Sequence, residues 1–131
     1  MCLLVLAWNS HPRYRLIVAA NRDEFHDRPT APLGWWPDDS RILAGRDLRG
    51  SGTWLGAARS GRFGVITNFR EFERPAADAP SRGDLVRRFL SEAISPQEYF
   101  DDLRNRAPSY AGFNLLLGGP RTLYYYSNRD G

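Results

Sequence analysis

The sequence predicts an α+β protein built on a largely antiparallel sheet. Strand-like segments come first along the chain, two helical segments follow, and strand-like segments return near the end. Short turns with glycine or polar residues join consecutive strands, as they do in antiparallel hairpins. The 131 residues suit a single domain, 1–131, and this order of elements is typical of the α+β class.

The first two strands are expected to form a hairpin. Residues 2–8 and 15–20 are short apolar runs, which predicts two strands buried on both faces. A short polar turn separates them, so antiparallel pairing is the simplest arrangement. This pairing places Cys2 and the polar residues 21–24 at the same end of the hairpin.

Residues 26–52 are expected to be irregular, with only a short strand at residues 41–44. Prolines and glycines interrupt this segment throughout. A loop of this length in a small domain is usually functional or mobile. Trp35 and Trp36 lie within it, and they either anchor the segment in the core or cover a pocket.

Two further hairpins are predicted, over residues 53–69 and 111–126, each with glycine in its turn. Residues 70–81 are polar and rich in proline and alanine, so a loop is expected there. The third hairpin would return the chain to the sheet after the helical region.

Two helices are predicted between these hairpins. Apolar residues at helical spacing indicate a first helix over residues 84–94. Ser95, Pro96 and Glu98 then supply an N-cap, a proline at the first helical position and a capping-box glutamate. A second helix is therefore expected to start at this point.

Two helices cover at most one face of such a sheet. Strands that are buried on both faces need cover on both. We therefore expect a second half of the chain, or a second copy in a homodimer, on the uncovered sheet face.

Composition excludes several classes of protein. Hydrophobic residues make up 42% and charged residues 25%, which is ordinary for a globular protein. The net charge is +3, but all the basic residues are dispersed arginines, and a nucleic-acid binder usually concentrates its cations on one face. We expect no nucleic-acid partner.

The longest apolar run, residues 2–8, is too short to span a bilayer. No basic segment precedes it, so it is not expected to act as a secretory signal. One cysteine gives no disulfide framework and no zinc cluster. His11 and His26 lack metal-ligand spacing and are expected in loops or at the surface. We expect a cytoplasmic protein without a transmembrane segment, a metal or a cofactor.

Cys2 is the first candidate for chemistry. Removal of Met1 would leave Cys2 with a free α-amine beside its thiol. A thiol has an ordinary pKa near 8.5 and an α-amine one of about 7.7–8.0, so the amine can serve as the base for the nucleophile. The alternative is a small apolar residue that opens a core strand.

Polar side chains follow two of the predicted strands. Arg22 could lower the pKa of the Cys2 thiol, and Asp23 could orient the α-amine; a strand-end turn with a surface ion pair is the alternative. Asn68 could donate its amide to an oxyanion, or it could simply close a turn. Asn114 lies inside a strand, where we expect neighbouring backbone to satisfy its amide.

Together these residues resemble the NRDE-motif family, also called the transport and Golgi organisation protein 2 family. Its members are about twice as long, so the resemblance implies an N-terminal half and a truncated sequence. Seven motifs occur here in the family's order: the Met-Cys start, residues 19–25, Arg28-Pro29, residues 52–56, Thr67-Asn68, residues 81–83 and residues 112–115.

The family is in turn similar to N-terminal nucleophile hydrolases of the choloylglycine hydrolase and penicillin V acylase group. This similarity implies an αββα fold and cleavage of non-peptide amides. Cys2 matches the nucleophile, Asp23 the aspartate at its amine and Asn68 an oxyanion-hole asparagine. The group's arginine, three residues before the aspartate, is Ala20 here, and Arg22 could substitute for it. Its remaining asparagine and arginine come from the later half.

The resulting hypothesis is an N-terminal cysteine amidohydrolase that acts on a non-peptide amide, incomplete in this sequence. Its catalytic residues would be Cys2, Arg22, Asp23 and Asn68, and its substrate-binding residues Asn21, Glu24 and Trp54. The alternative is a non-catalytic carrier of a small hydrophobic ligand, a lipid or haem. The third possibility is a generic interaction domain, in which the motifs serve only turns and ion pairs. It stays open because a fold alone does not define a function.

Overall fold

A computed structural model describes residues 2–69 and 78–129 of the chain. Strands and helices follow one another in the expected α+β order. The elements are β1 (Leu4–Trp8), β2 (Leu16–Ala20), β3 (Thr30–Trp35), β4 (Ile42–Asp47), β5 (Leu55–Ala58), β6 (Phe63–Asn68), α1 (Gly83–Ser91), α2 (Pro96–Arg106), β7 (Phe113–Gly118) and β8 (Leu123–Ser127). A short 3-10 turn, Ala107–Ser109, follows α2.

The strands form two antiparallel sheets. β1 and β2 pair as a hairpin, with Leu4 opposite Ala20 and Trp8 opposite Leu16. The other six strands form a meander in the order β3-β4-β5-β6-β7-β8. Both helices lie in the connection from β6 to β7. The order of elements confirms the α+β class and the two predicted helices. The antiparallel pairs β1–β2, β5–β6 and β7–β8 confirm the three predicted hairpins.

Glycine lets helix α1 approach the meander closely. A Cβ atom at Gly64 of β6 would lie 3.0 Å from Val86 Cγ1 and 2.9 Å from Leu117 Cδ2. Gly64 therefore faces the helix. Because side chains alternate along a strand, its neighbour Phe63 faces the opposite side of the sheet.

The helix side of the meander holds the main core. Phe89, Tyr99 and Phe113 are completely buried there. The Tyr99 hydroxyl donates a hydrogen bond to the Leu85 carbonyl at 2.6 Å, so its polar atom is satisfied in the interior. Burial raises the pKa of Tyr99 far above its usual range, and the residue stays neutral.

The chain's own β1–β2 hairpin contacts the other face of the meander. The rings of Trp8 and Phe63 lie 6.4 Å apart, and the Arg15 guanidinium donates to the Pro120 carbonyl. Phe63 and Val65 on this face are buried. This cover differs from the sequence-based expectation, in which a second half of the chain or a second copy covers the face.

The expected double burial of β1 and β2 is wrong. Val5 and Ile17 are 59% and 44% exposed, and Leu3 just before β1 is 63% exposed. The hairpin lies outside the meander, so only one of its faces has the chain's own sheet beneath it. Apolar composition alone does not reveal which of two faces finds a partner.

The expected irregular segment at residues 26–52 is also wrong, because it contains two strands. β4 is longer than the short strand predicted at residues 41–44, and β3 was missed. Pro32 and Gly34 interrupt the pattern of β3, and its register shifts between Ala31 and Gly34. Proline is tolerated there because β3 is an edge strand.

The tryptophan pair divides between core and surface. Trp36 is 4% exposed and its Nε1–H donates to the Ala44 carbonyl at 3.2 Å. Trp35 is 46% exposed, with the Arg59 guanidinium carbon 3.9 Å from its ring centroid. Core anchoring, one of the two alternatives, therefore holds for Trp36.

Both helices carry recognisable termini. Helix α2 begins with the predicted capping box: Ser95 accepts from the Glu98 N–H, and Glu98 accepts from the Ser95 N–H. Helix α1 starts at Gly83 and ends at Ser91, three residues before the predicted end. The predicted loop at residues 70–81 lies mostly outside the described residues. No helix of the described residues is long and apolar enough to cross a membrane.

Arg62 caps the C-terminal end of α1 through its side chain. Arg62 Nη1 donates to the carbonyls of Phe89, at 3.0 Å, and Glu92, at 2.5 Å, while Nη2 donates to the Ile94 carbonyl. The last carbonyls of a helix have no partner within the helix. Arg62 satisfies them with a cation, which the helix dipole also favours.

We predict that Arg62→Ala lowers the free energy of unfolding by about 2 kcal/mol, because charged hydrogen bonds to partly buried carbonyls are lost. Urea denaturation followed by circular dichroism measures the change. Arg104→Ala, which removes an exposed surface ion pair with Asp101, is the control and should change stability little. Equal effects of the two variants would contradict the role given to Arg62.

Candidate functional site

An open cavity of about 470 Å³ lies where the end of the β1–β2 hairpin meets the meander. All seven residues that the sequence singled out line it. They are Cys2, Asn21, Arg22, Asp23, Glu24, Trp54 and Asn68. The structure thus brings together four separate stretches of the chain: Cys2, residues 21–24, Trp54 and Asn68.

Pairing between β1 and β2 positions Cys2. The Leu3 N–H donates to Asn21 Oδ1 at 2.7 Å, and the Asn21 N–H donates to the Leu3 carbonyl at 3.2 Å. These two bonds hold the backbone next to Cys2 against the residue that opens the NRDE segment, residues 21–24. Cys2 itself is half-buried, and the expected proximity of Cys2 to this segment is confirmed.

Arg22 packs over Trp54. Its guanidinium carbon lies 4.3 Å from the Trp54 ring centroid, within the range of a cation–π contact. Arg22 Nη2 also lies 3.7 Å from Glu24 Oε2. Both contacts direct the arginine along the cavity wall.

Arg28 ties the hairpin end to the meander. Its Nε and Nη2 both donate to Asp47 Oδ2, at 2.9 and 2.6 Å, and Nε lies 3.7 Å from Glu24 Oε2. The Arg49 and Gly50 N–H groups donate to Asp47 Oδ1 at 3.0 and 3.2 Å. Asp47 therefore fixes both the Arg28 side chain and the loop after β4.

The charge state of Asp47 follows from these contacts. Burial acts to raise its pKa, but the hydrogen bonds from Arg28 and from the Gly50 and Arg49 amides outweigh that effect. The pKa of Asp47 lies below its ordinary value of 3.8, because all four hydrogen bonds favour the carboxylate.

Two glycines let the loop before β5 meet the start of α1. A Cβ atom at Gly52 would lie 2.4 Å from the Gly83 carbonyl carbon, and the Thr53 N–H donates to the Gly83 oxygen at 3.1 Å. Arg82 Nη1 donates to the Gly112 carbonyl at 2.8 Å. Three of the motifs quoted from the sequence therefore converge beside the cavity.

Asn68 is the last residue of β6 and pairs with Phe113 of β7. It is exposed and lines the cavity, as does Asp23. Ala20 is exposed at the end of β2, at the position where the hydrolase group has its arginine. The cavity-lining arginine nearest to it in sequence is Arg22.

The two histidines and Asn114 lie outside the lining of this cavity. His11 and His26 are exposed, as expected. The Asn114 amide is not satisfied by backbone as predicted; its Oδ1 accepts from the Tyr125 hydroxyl at 2.9 Å and its Nδ2 lies 3.4 Å from Thr67 Oγ1. Within residues 2–69 and 78–129, no cluster of three or more histidine, cysteine or acidic residues could hold a metal.

Four charged residues of the cavity are not among those predicted from the sequence: Arg28, Asp47, Arg49 and Arg82. Arg28 and Arg82 lie within the motifs that resemble the family, so the sequence contained a signal that both could belong to the site. Asp47 and Arg49 fall in the segment taken as irregular, so their place at the end of β4 could not be seen.

The fold and this cavity define an α+β protein with a cysteine-lined site between a hairpin and an antiparallel meander. The chain matches the family described as Transport and Golgi organisation 2 over residues 1–131. It belongs to that family.

Its relatives agree with this assignment. The chain is 36% identical over 141 residues to the Transport and Golgi organization 2 homolog of Mus musculus, covering 98% of the chain and 51% of the relative. The Homo sapiens homolog is 34% identical over 143 residues, with coverage of 98% and 51%. The Drosophila melanogaster protein is 31% identical over 128 residues, with coverage of 88% and 45%. The chain spans about half the length of these relatives.

We predict that Asp47→Asn lowers the free energy of unfolding by about 2 kcal/mol at pH 7, because the charged hydrogen bonds from Arg28 are weakened. Folding lowers the pKa of Asp47, so its contribution is complete above the unfolded value of 3.8. That contribution is lost as the pH falls through the lower folded-state value.

Urea titrations of both proteins between pH 7 and pH 2.5 test this expectation. The two stabilities should converge in the acid range. A difference that stays constant down to the lowest pH would show that the Asp47 charge does not stabilise the fold.

Proposed function

We propose that this chain carries the nucleophile of a cysteine amidohydrolase that acts on a non-peptide amide. The observation that supports the proposal most is one cavity lined jointly by Cys2, Asp23 and Asn68. These side chains supply the three functions that acyl transfer needs: a nucleophile, a group that orients its base and a donor for the oxyanion.

Cys2 attacks the substrate carbonyl in this proposal. Removal of Met1 exposes the α-amine of Cys2, which accepts the thiol proton. Asp23, which lines the same cavity, accepts a hydrogen bond from that amine and stabilises its protonated form. The carbonyl oxygen becomes an oxyanion, and a carbon–sulfur bond forms.

Asn68 donates its side-chain amide to this oxyanion. Collapse of the tetrahedral intermediate breaks the carbon–nitrogen bond, and the protonated amine of Cys2 returns a proton to the leaving nitrogen. A thioester remains on Cys2. Water then attacks the thioester, releases the carboxylic acid and restores the thiol.

The remaining predicted residues shape the cavity. Trp54 offers an aromatic wall to the substrate, and Arg22 covers part of it. Glu24 lies 3.7 Å from both Arg22 and Arg28 and keeps their guanidinium groups in place. Asn21 was expected to bind substrate; because its side-chain oxygen accepts from the Leu3 N–H, we propose that it positions Cys2 instead.

A non-catalytic carrier of a small hydrophobic ligand is the second candidate. Trp54, Ile66, Pro80 and Ala111 add apolar surface to the cavity wall, and a carrier needs no reactive thiol. Replacement of Cys2 separates the two functions, because a carrier keeps its ligand and a hydrolase loses its turnover.

We predict that Met1 is absent from the purified protein and that amide substrates leave a thioester adduct on Cys2. Intact-mass spectrometry after acid quench detects both. Cys2→Ala should abolish the adduct, and Cys2→Ser should reduce turnover by orders of magnitude. Retention of Met1 together with no adduct from a broad acyl-amide panel would reject the nucleophile.

We predict that Asn68→Ala lowers kcat by roughly 100-fold to 1,000-fold with a smaller change in KM, as expected for loss of an oxyanion donor. Asn105→Ala, on the exposed side of α2, is the matched control and should keep full activity. Steady-state kinetics on any amide found in the panel measures both. An unchanged kcat in Asn68→Ala would remove this residue from the proposed reaction.

A further inference from the structure

We propose that the cavity beside Cys2 selects a substrate that carries an anionic group, a carboxylate, which the Arg49 guanidinium binds. The inference rests on the proposed function in one respect: it takes Cys2 as the reacting end of the cavity. It adds the substrate class, which the residues around Cys2 do not by themselves define.

The cavity has an excess of cationic side chains. Among the described residues that line it are four arginines and three carboxylates, namely Arg22, Arg28, Arg49 and Arg82 against Asp23, Glu24 and Asp47. Surplus positive charge in a concave site attracts anions and raises their local concentration.

Two of these carboxylates, Asp47 and Glu24, already contact arginines within the cavity. Asp47 receives both Arg28 nitrogens and two backbone N–H groups. Glu24 lies 3.7 Å from Arg22 and 3.7 Å from Arg28. Arg22 also stacks on Trp54, so the guanidinium groups of Arg22 and Arg28 are engaged within the site.

Arg49 differs from these two arginines. Its backbone N–H donates to Asp47 Oδ1 at 3.0 Å, which fixes the main chain at this position. Its guanidinium group has no ion-pair or hydrogen-bond partner among residues 2–69 and 78–129. Arg49 lines the cavity and is exposed, so its guanidinium group can offer two parallel N–H donors to a carboxylate that enters the cavity.

The anchor of Arg49 is itself rigid. Asp47 is 7% exposed, and the ion pair with Arg28 joins it to the segment that follows β2. The main chain that carries Arg49 is therefore fixed at the cavity wall. A substrate would place its amide at Cys2 and its carboxylate at Arg49.

The chain's single cysteine makes a direct test possible. Iodoacetamide and iodoacetate are close in size and alkylate the same thiol, but only iodoacetate carries a negative charge. The ratio of their second-order rate constants, measured by intact mass on the purified protein at fixed pH, reports how strongly the cavity favours an anion.

We expect Arg49→Gln to lower the iodoacetate rate constant about threefold to tenfold, the size of effect that one nearby charge exerts in a partly screened site. The iodoacetamide rate constant should stay unchanged. Arg49→Lys should keep most of the preference, and added salt should weaken it in the wild type. Arg59→Gln removes an arginine that stacks on Trp35 outside this cavity and should leave the ratio at the wild-type value.

Other results overturn the inference. Equal slowing of both reagents in Arg49→Gln would indicate a structural role, and no slowing of either would exclude an anion site at Arg49. The two proposals can be rejected independently. A preference for iodoacetate without any amide turnover rejects the hydrolase reaction alone. Turnover of neutral amides without that preference rejects the anion site alone. A thiol that reacts with neither reagent overturns both.

Discussion

The ion pair between Arg28 and Asp47 is the interaction on which the site depends. The β1–β2 hairpin and the meander are separate sheets, so no ladder hydrogen bonds join them. Arg28, two residues before β3, donates two hydrogen bonds to Asp47 at the end of β4, and its Nε lies 3.7 Å from Glu24 Oε2 of the NRDE segment. Asp47 in turn holds the loop that carries Arg49. Charged hydrogen bonds of this kind are shorter and stronger than neutral ones, which suits a junction between two sheets.

The meander supplies the fixed side of that junction. Helix α1 lies close to β6 because Gly64 leaves room for Val86, and the loop before β5 meets the start of the same helix at Gly52 and Gly83. Glycine at these positions thus has a packing role rather than a turn role. Close contact places the start of α1 beside the cavity, opposite the NRDE segment.

Most of the elements could be predicted from the sequence, since hairpin turns and a capping box are local signals. Strand β3 could not, because Pro32 and Gly34 hide an edge strand that is defined by its neighbour β4. The exposure of Val5 and Ile17 could not be predicted either, because it depends on where the hairpin lies relative to the meander. The same limit applies to the site. The proximity of Cys2 to residues 21–24 could be predicted from the local pairing of a hairpin. The presence of Asp47 and Arg49 could not, because they join the cavity only through tertiary contacts.

The contacts of the Arg62 guanidinium group determine how the end of α1 unfolds locally. Arg62 stands at the turn between β5 and β6, and it holds carbonyls at and beyond the end of α1, 27 to 32 positions further along the chain. Helix ends usually fray before the rest of a protein unfolds. Loosening of the end of α1 breaks these hydrogen bonds to the β5–β6 turn, so we expect the amide hydrogens of the helix end and of that turn to exchange with solvent together.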